Sequence, residues 1–173
     1  SRQTRAASRT NARGTRLTDH HSHHLRLRTE APQSRSRAAE PSFSLVFAGD
    51  TTLDDVPGAY MERGDDPFAS FASLFAGADL RVTNLECVVS DVGQPVDKVY
   101  TFRAHPRVLP VLRRHFDAVT LANNHSGDYG REAFSQMLDL LGKTGLMQAG
   151  GGKNLQEAHT PLIVQQAGMR VAL

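Results

Sequence analysis

Three short apolar runs constrain this chain more than anything else in it. Ser44-Leu-Val-Phe-Ala48, Leu80-Arg-Val-Thr83 and Ala118-Val-Thr-Leu-Ala122 each read as a strand. Each then breaks into a polar cluster: Gly49-Asp50, Asn84-Leu85-Glu86 and Asn123-Asn124-His125. The stretches between them carry helical signals. Asp66-Pro67 forms a cap and first-turn pair ahead of Phe68, Phe71, Ala72 and Phe75, with Gly77 as a stop. His105 to Arg114 places Val108, Leu109 and Leu112 on one face, with Pro110 kinking the helix or delaying its start. Phe134, Met137, Leu138 and Leu141 follow the third run at i, i+3, i+4 and i+7, and Gly145 is placed to end that helix.

Lys98 to Arg103 alternates and reads as an edge strand. A strand near Leu146–Gln148, the turn Gly150-Gly-Gly152, a short helix at Leu155–Ala158 and strands at Leu162–Gln166 and Arg170–Leu173 complete the pattern. Strands alternating with helices argue an α/β fold with a largely parallel sheet or pair of sheets.

Residues 1–40 stand apart from this pattern. They hold nine Arg, no Lys and three acids, for a net charge of +6, so residues 41–173 carry −4 of the chain's total of +2. The basic character belongs to this tail, which excludes reading the rest as a nucleic-acid-binding domain on charge alone. With almost no apolar residues, the tail is expected to lack stable structure. His20, His21, His23 and His24 read as part of a solvated polar tract, with metal chelation as the alternative. No run approaches the roughly 18–20 apolar residues of a membrane span. The single cysteine, Cys87, excludes an internal disulfide framework and a Cys-cluster zinc site, and it reads as a small buried apolar residue.

Ligands of α/β sheets bind beyond the carboxyl ends of the strands. Parallel neighbouring strands would bring Asp50, Glu86, Asn124 and His125 to one edge. Two carboxylates, an amide oxygen and an imidazole suit Mn, Mg, Fe or Zn, and the same set can serve without metal as a paired general acid and base. Asn84 and Asn123 are candidate substrate-binding amides beside them. His105, His115 and His159 are isolated and read as surface or capping residues. Gly150-Gly151-Gly152 reads as a turn because no Lys-Ser/Thr follows it.

Gly49-Asp50, Asn84-Leu85-Glu86, Leu121-Ala-Asn-Asn-His125 and Asp128-Tyr-Gly130 together resemble the poly-gamma-glutamate capsule biosynthesis protein CapA family. Gly150 to Asn154, Glu157-Ala158 and Pro161 fit as well, and the likeness runs in order from about Phe43 to Leu173. The resemblance implies a calcineurin-like metallophosphoesterase-type fold, a four-layer α/β/β/α sandwich with a metal centre at the strand ends. It implies Asp50, Glu86 and Asn124 as ligands of a divalent metal ion and His125 as the catalytic group contacting a phosphoryl oxygen. It also implies poly-gamma-glutamate or another anionic polymer and capsule-assembly proteins as partners, and a place in the bacterial cell envelope. Two departures stand out. Position 52 is Thr rather than the His of an Asp-x-His motif, and Asn-Leu-Glu replaces Gly-Asp-x-x-Asp. Family members continue with further His-containing motifs, so the resemblance implies a C-terminally truncated half of the sandwich, with the strands at 162–166 and 170–173 left without later partners.

Overall fold

The structure, a computed structural model, describes residues 42–173. The expectations for the tail, including the His20–His24 chelator, lie outside the described residues. A four-stranded parallel sheet forms the centre, built from β1 (Leu45–Thr51), β2 (Leu80–Leu85), β5 (Ala118–Thr120) and β6 (Met147–Ala149) in the order β1-β2-β5-β6. The α/β expectation with a parallel sheet therefore holds for the described residues.

Helices cover one face of this sheet. They are α1 (Asp55–Glu62), α3 (Leu109–His115) and α4 (Gly130–Thr144), which bury Met61, Val111, Leu112, Ala133, Met137 and Leu141 against Leu85, Val119 and Leu121. Side chains alternate along a strand, so Leu80, Val82 and Asn84 of β2 point to the opposite face, with Ala118 and Thr120 of β5. There Leu80, Val82 and Ala118 form a second, smaller apolar cluster. Leu162, Val164 and Leu173 pack on it from the antiparallel hairpin of β7 (Ile163–Gln166) and β8 (Met169–Ala172). The last strands thus pair with each other. Leu162 and Leu173 extend the ladder by exchanging backbone hydrogen bonds at 3.0 and 2.9 Å. The described layers are helices, sheet and hairpin.

Several expectations need correction. Residues 98–102 are not a strand; only β4 (Arg103–Ala104) pairs, in parallel with β3 (Val88–Val89). Backbone donors of the preceding segment bond to Asp128 instead, as described below. The helix expected after Asp66-Pro67 is a 3₁₀ turn at Ala69–Phe71 followed by the one-turn α2 (Ala72–Phe75), although Asp66 does cap the Phe68 N–H at 3.0 Å. Phe68 and Phe75 pack on the core while Phe71 stays half exposed. Pro110 lies in the first turn of α3, where its missing N–H is not needed; the chain before it forms a 3₁₀ turn at Pro106–Val108. Gly145 ends α4 at φ 72°, and α5 (Leu155–Ala158) lies where expected. Helix α1 was not foreseen, because Pro57 and Gly58 sit inside it and mask its pattern.

Candidate functional site at the strand ends

Asp50 reaches its position through a β-bulge. Phe47 pairs with Val82, but Asp50 rather than Gly49 pairs with Asn84, so three steps of β1 match two steps of β2. The extra residue turns Asp50 onto the Asn84 face, just beyond the Leu80, Val82 and Ala118 cluster. Without it, Asp50 would stand opposite Leu85 and point toward the helices.

Asn84 organises what gathers there. Its Oδ1 accepts from Thr120 Oγ1 at 3.1 Å and from Asn123 Nδ2 at 3.0 Å. Its amide nitrogen therefore faces the acids and donates to Asp50 Oδ1 at 2.8 Å and Glu86 Oε2 at 3.1 Å. The Asp50 and Glu86 carboxyls thus meet on one amide nitrogen. The amide of Asn84 and then the Glu86 carboxyl hold Asp50 below the usual carboxylate range. Glu86 is pushed up, first by its bond to Asp50, then by burial and by the Asp50 charge. The two carboxyls therefore titrate apart, Asp50 ionising more readily and Glu86 holding its proton longer.

Asn123 is a hub in the following loop. Its Nδ2 also donates to Leu85 O at 2.9 Å, and its Oδ1 accepts from the backbone N–H groups of His125 and Ser126 at 2.9 and 3.1 Å. This anchors the loop that carries His125 to the end of β2. Asn123 and Asn84 therefore serve to shape the site, their carboxamides being taken by protein groups. The Asn124 side chain is exposed and takes no hydrogen bond from a described residue, while its carbonyl accepts from Lys98 Nζ at 2.7 Å. His125 is buried, 2.6 Å from Asp128 Oδ2 through its Nδ1.

Three of the expected ligand and binding residues, Asp50, Asn84 and Glu86, are thus joined directly by hydrogen bonds; Asn123 joins through Asn84, and no hydrogen bond among the described residues joins the Asn124 side chain to the acids. The donor chemistry fits a hard divalent cation in part. The two carboxylates offer it anionic oxygens, and the exposed Asn124 amide takes no hydrogen bond from a described residue. Asn84 presents nitrogen to the acids and is no ligand as oriented. Among the described residues, no group of three or more His, Cys, Asp or Glu side chains gathers closely enough to hold a metal ion.

The sequence places Asp128 in the Asp-Tyr-Gly string and Lys98 and Phe102 in an expected edge strand, and marks none of the three as a site residue. Asp128 is 1% exposed and bonds to His125 Nδ1 at 2.6 Å and Lys98 Nζ at 2.8 Å. The spacing of His125 and Asp128 along one turn was the available signal. His115 also departs from expectation, being buried with its Nε2 2.8 Å from Asp66 rather than at the surface. His105 does cap, accepting from Arg107 N at 3.1 Å. Cys87 is fully buried as expected, and burial pushes its thiol up to about 12, which excludes it as a nucleophile in the folded chain. No helix among the described residues is long and apolar enough to cross a membrane.

Comparison with known proteins agrees with the strand-end motifs. The sequence profile of the family described as bacterial capsule synthesis protein matches residues 44–173, from the start of β1 to the last residue. Two relatives from Sinorhizobium fredii (strain NBRC 101917 / NGR234), "Uncharacterized protein y4sH" and "Uncharacterized protein y4uA", are each 29% identical over 140 residues. The match covers 76% of this chain and 29% of each relative, so the chain spans under a third of the length of these relatives.

Proposed function

Because this chain belongs to the bacterial capsule synthesis protein family, we propose that it serves the synthesis or export of an anionic capsule polymer of the poly-gamma-glutamate type. Its working site is the strand-end edge of Asp50, Glu86, Asn124 and His125. The observation that carries this reading is the bulge, which costs β1 a regular ladder yet brings Asp50 against Asn84 and Glu86.

An acidic pair repels a polyanion in water. A divalent cation held by Asp50 and Glu86, with the Asn124 amide oxygen contributing, would reverse that sign and polarise a phosphoryl or acyl oxygen of the bound chain. The chain's own groups do the rest. Asn84 orients both carboxylates, Asn123 fixes the loop, and His125 stands near Glu86 as the group that exchanges a proton or contacts the substrate oxygen. Asp50 and Asn124 are exposed, so the edge is open enough for a polymer to lie across it. The layering of helices, sheet and hairpin is consistent with three layers of a metallophosphoesterase-type α/β/β/α sandwich.

Manganese uptake by the full chain tests the reading, measured by electron paramagnetic resonance and compared with an Asp50→Asn/Glu86→Gln double variant. The tail histidines are common to both proteins and cancel. One equivalent more in the parent is expected, and added poly-gamma-glutamate should bind only the metal-loaded parent. Equal uptake by both proteins refutes the site.

A further inference from the structure

Asp128 is a buried carboxylate in contact with three nitrogen groups. Its side chain is 1% exposed. Oδ1 accepts from Lys98 Nζ at 2.8 Å, and Oδ2 accepts from Phe102 N at 2.7 Å and lies 2.6 Å from His125 Nδ1. Its backbone carbonyl takes the Val96 N–H at 2.9 Å. Three attachments of the 94–102 segment thus converge on one residue. The segment in turn lays the Phe102 ring on the His125 imidazole, with centroids 4.2 Å apart and planes at 27°.

Two hydrogen-bond schemes compete at His125 Nδ1. Lys98 Nζ stands 3.4 Å away and could donate to it, leaving the proton of the neutral ring on Nε2. Asp128 Oδ2 stands at 2.6 Å and can only accept while ionised. Burial raises the Asp128 carboxyl, but Lys98, His125 and the Phe102 N–H outweigh it and hold it below the usual range. The shorter bond and the ionised acceptor decide for Nδ1–H. Lys98 has better partners in Asp128 and in the Asn124 carbonyl at 2.7 Å. Nε2 takes no hydrogen bond from any described residue.

We propose that Asp128 is a positioning residue that locks His125 in the Nδ1–H tautomer, so that the neutral ring offers a bare Nε2 as an acceptor at the strand-end site. The same carboxylate, through Lys98 and the Phe102 N–H, seats the 94–102 segment that clamps the ring. The functional consequence rests on the reading of the strand ends given above; the tautomer itself does not. A histidine so held enters the chemistry as a proton acceptor or a ligand, and its partner carboxylate sets that role as in other carboxylate–histidine pairs.

The test uses the full chain labelled with ¹⁵N-histidine. Two-bond ¹H–¹⁵N correlation, taken on the alkaline plateau where the His125 shifts no longer change with pH, reads the neutral tautomer. The His125 signals are assigned by their loss in His125→Gln. A protonated Nδ1 and a bare Nε2 are expected, and the reverse pattern overturns the proposal with no variant needed. Asp128→Asn places an amide donor beside Nδ1, so the preference should be lost. Full retention in a folded variant overturns the role of Asp128. Lys98→Met leaves the Asp128–His125 bond and should keep the tautomer. It should also speed chymotrypsin cleavage after Tyr100 by about tenfold as the segment loosens. A lost tautomer or unchanged cleavage in Lys98→Met overturns the scheme. Manganese uptake indifferent to Asp50 and Glu86 would refute the site and leave the tautomer result standing, so the two failures are distinguishable.

Discussion

Replacing Asp117 by Asn should destabilise the protein by about 2–3 kcal/mol, a figure set between two limits. Asp117 begins the turn into β5 and grips Arg81 of β2 in a two-pronged pair, with Nη2 to Oδ1 at 2.7 Å and Nε to Oδ2 at 2.8 Å. Oδ2 also accepts the Arg81 N–H at 3.1 Å, and the Asp117 N–H returns to Arg81 O at 2.9 Å. The two side chains are 22% and 20% exposed. Exposed pairs contribute about 0–1 kcal/mol, and breaking a fully buried one costs about 3–5 kcal/mol. Two short charge-assisted bonds at intermediate burial fall between them, and Asn would turn an amide donor toward the guanidinium. With a urea slope of about 1–3 kcal/mol/M, the unfolding midpoint followed by circular dichroism should drop by about 0.7–3 M. Arg113 also reaches Oδ1, at 3.3 Å, but is 43% exposed, so Arg113→Ala should cost less than about 0.5 kcal/mol. An Arg81→Met/Asp117→Leu double variant should recover part of the loss. If Asp117→Asn moves the midpoint no more than Arg113→Ala does, the pair behaves as a surface contact and the reasoning fails.

Gly152→Ala should cost more than about 3 kcal/mol or prevent folding, since its Cβ would lie 2.4 Å from Ala158 N and 2.7 Å from Glu157 C, backbone atoms that cannot yield; a melting temperature within two or three degrees of the parent (roughly 1 kcal/mol) would contradict this. Acid should destabilise the fold. Asp66, Asp117 and Asp128 are all held below their usual range once the attraction of their cationic and N–H partners has overcome burial, so the folded state binds fewer protons than the unfolded one. Their contribution is complete above the unfolded value of about 3.9 and is lost as pH falls through the folded values, so the melting temperature should hold from about pH 7 to 5 and fall below about pH 4. A melt at pH 3 equal to that at pH 6 would refute it. Cys87 should resist a thiol reagent in the folded chain and react only on unfolding, because the thiol is buried and pushed up to about 12; rapid labelling without denaturant would show that the core opens locally.

The parts of the fold legible in the sequence were those where one face of an element is buried and the other is wet. Helix α4 shows this: Ala133, Met137 and Leu141 point inward, and Gly145 adopts the left-handed φ its position demanded. Strands β2 and β5 were readable for a different reason: both faces are covered, so Leu80 and Val82 on one face and Leu85 and Val119 on the other are all buried. The failures lie where the backbone is held by side chains far away in sequence. Lys98 to Phe102 alternates like a strand, yet Lys98 and Phe102 both turn to a carboxylate about thirty and twenty-six positions later. His115 looked isolated because Asp66, its partner, is 49 residues away. No local pattern encodes such a pairing.

The site shows the same division more sharply. That Asp50, Asn84 and Glu86 lie at neighbouring strand ends follows from parallel strands alone. That Asp50 faces Asn84 does not, because regular alternation from Leu45 and Phe47 would put Gly49 on that face. The bulge decides it, and the only local hint is the glycine, which weakens a strand and often marks such an irregularity. The role of Asn84 was hidden for a related reason. As a lone amide it can present oxygen or nitrogen to the acids, and reading it as a substrate-binding group left both open. Thr120 and Asn123 both donate to its oxygen, and this commits the nitrogen to Asp50 and Glu86. The polar residue closing β5 and the hub of the next loop thereby determine how two carboxylates on other strands are aimed. A Thr120→Val variant removes one of these two donors and leaves Asn123 as the other, so Asn84 should keep its orientation in it. Asn123→Leu removes the hub that also carries the His125 and Ser126 N–H groups, so it should disturb both the acids and His125. Amide and imidazole chemical shifts of Asn84 and His125 in the two variants report this asymmetry, and equal perturbation by both would mean that the amide is held by something other than these donors.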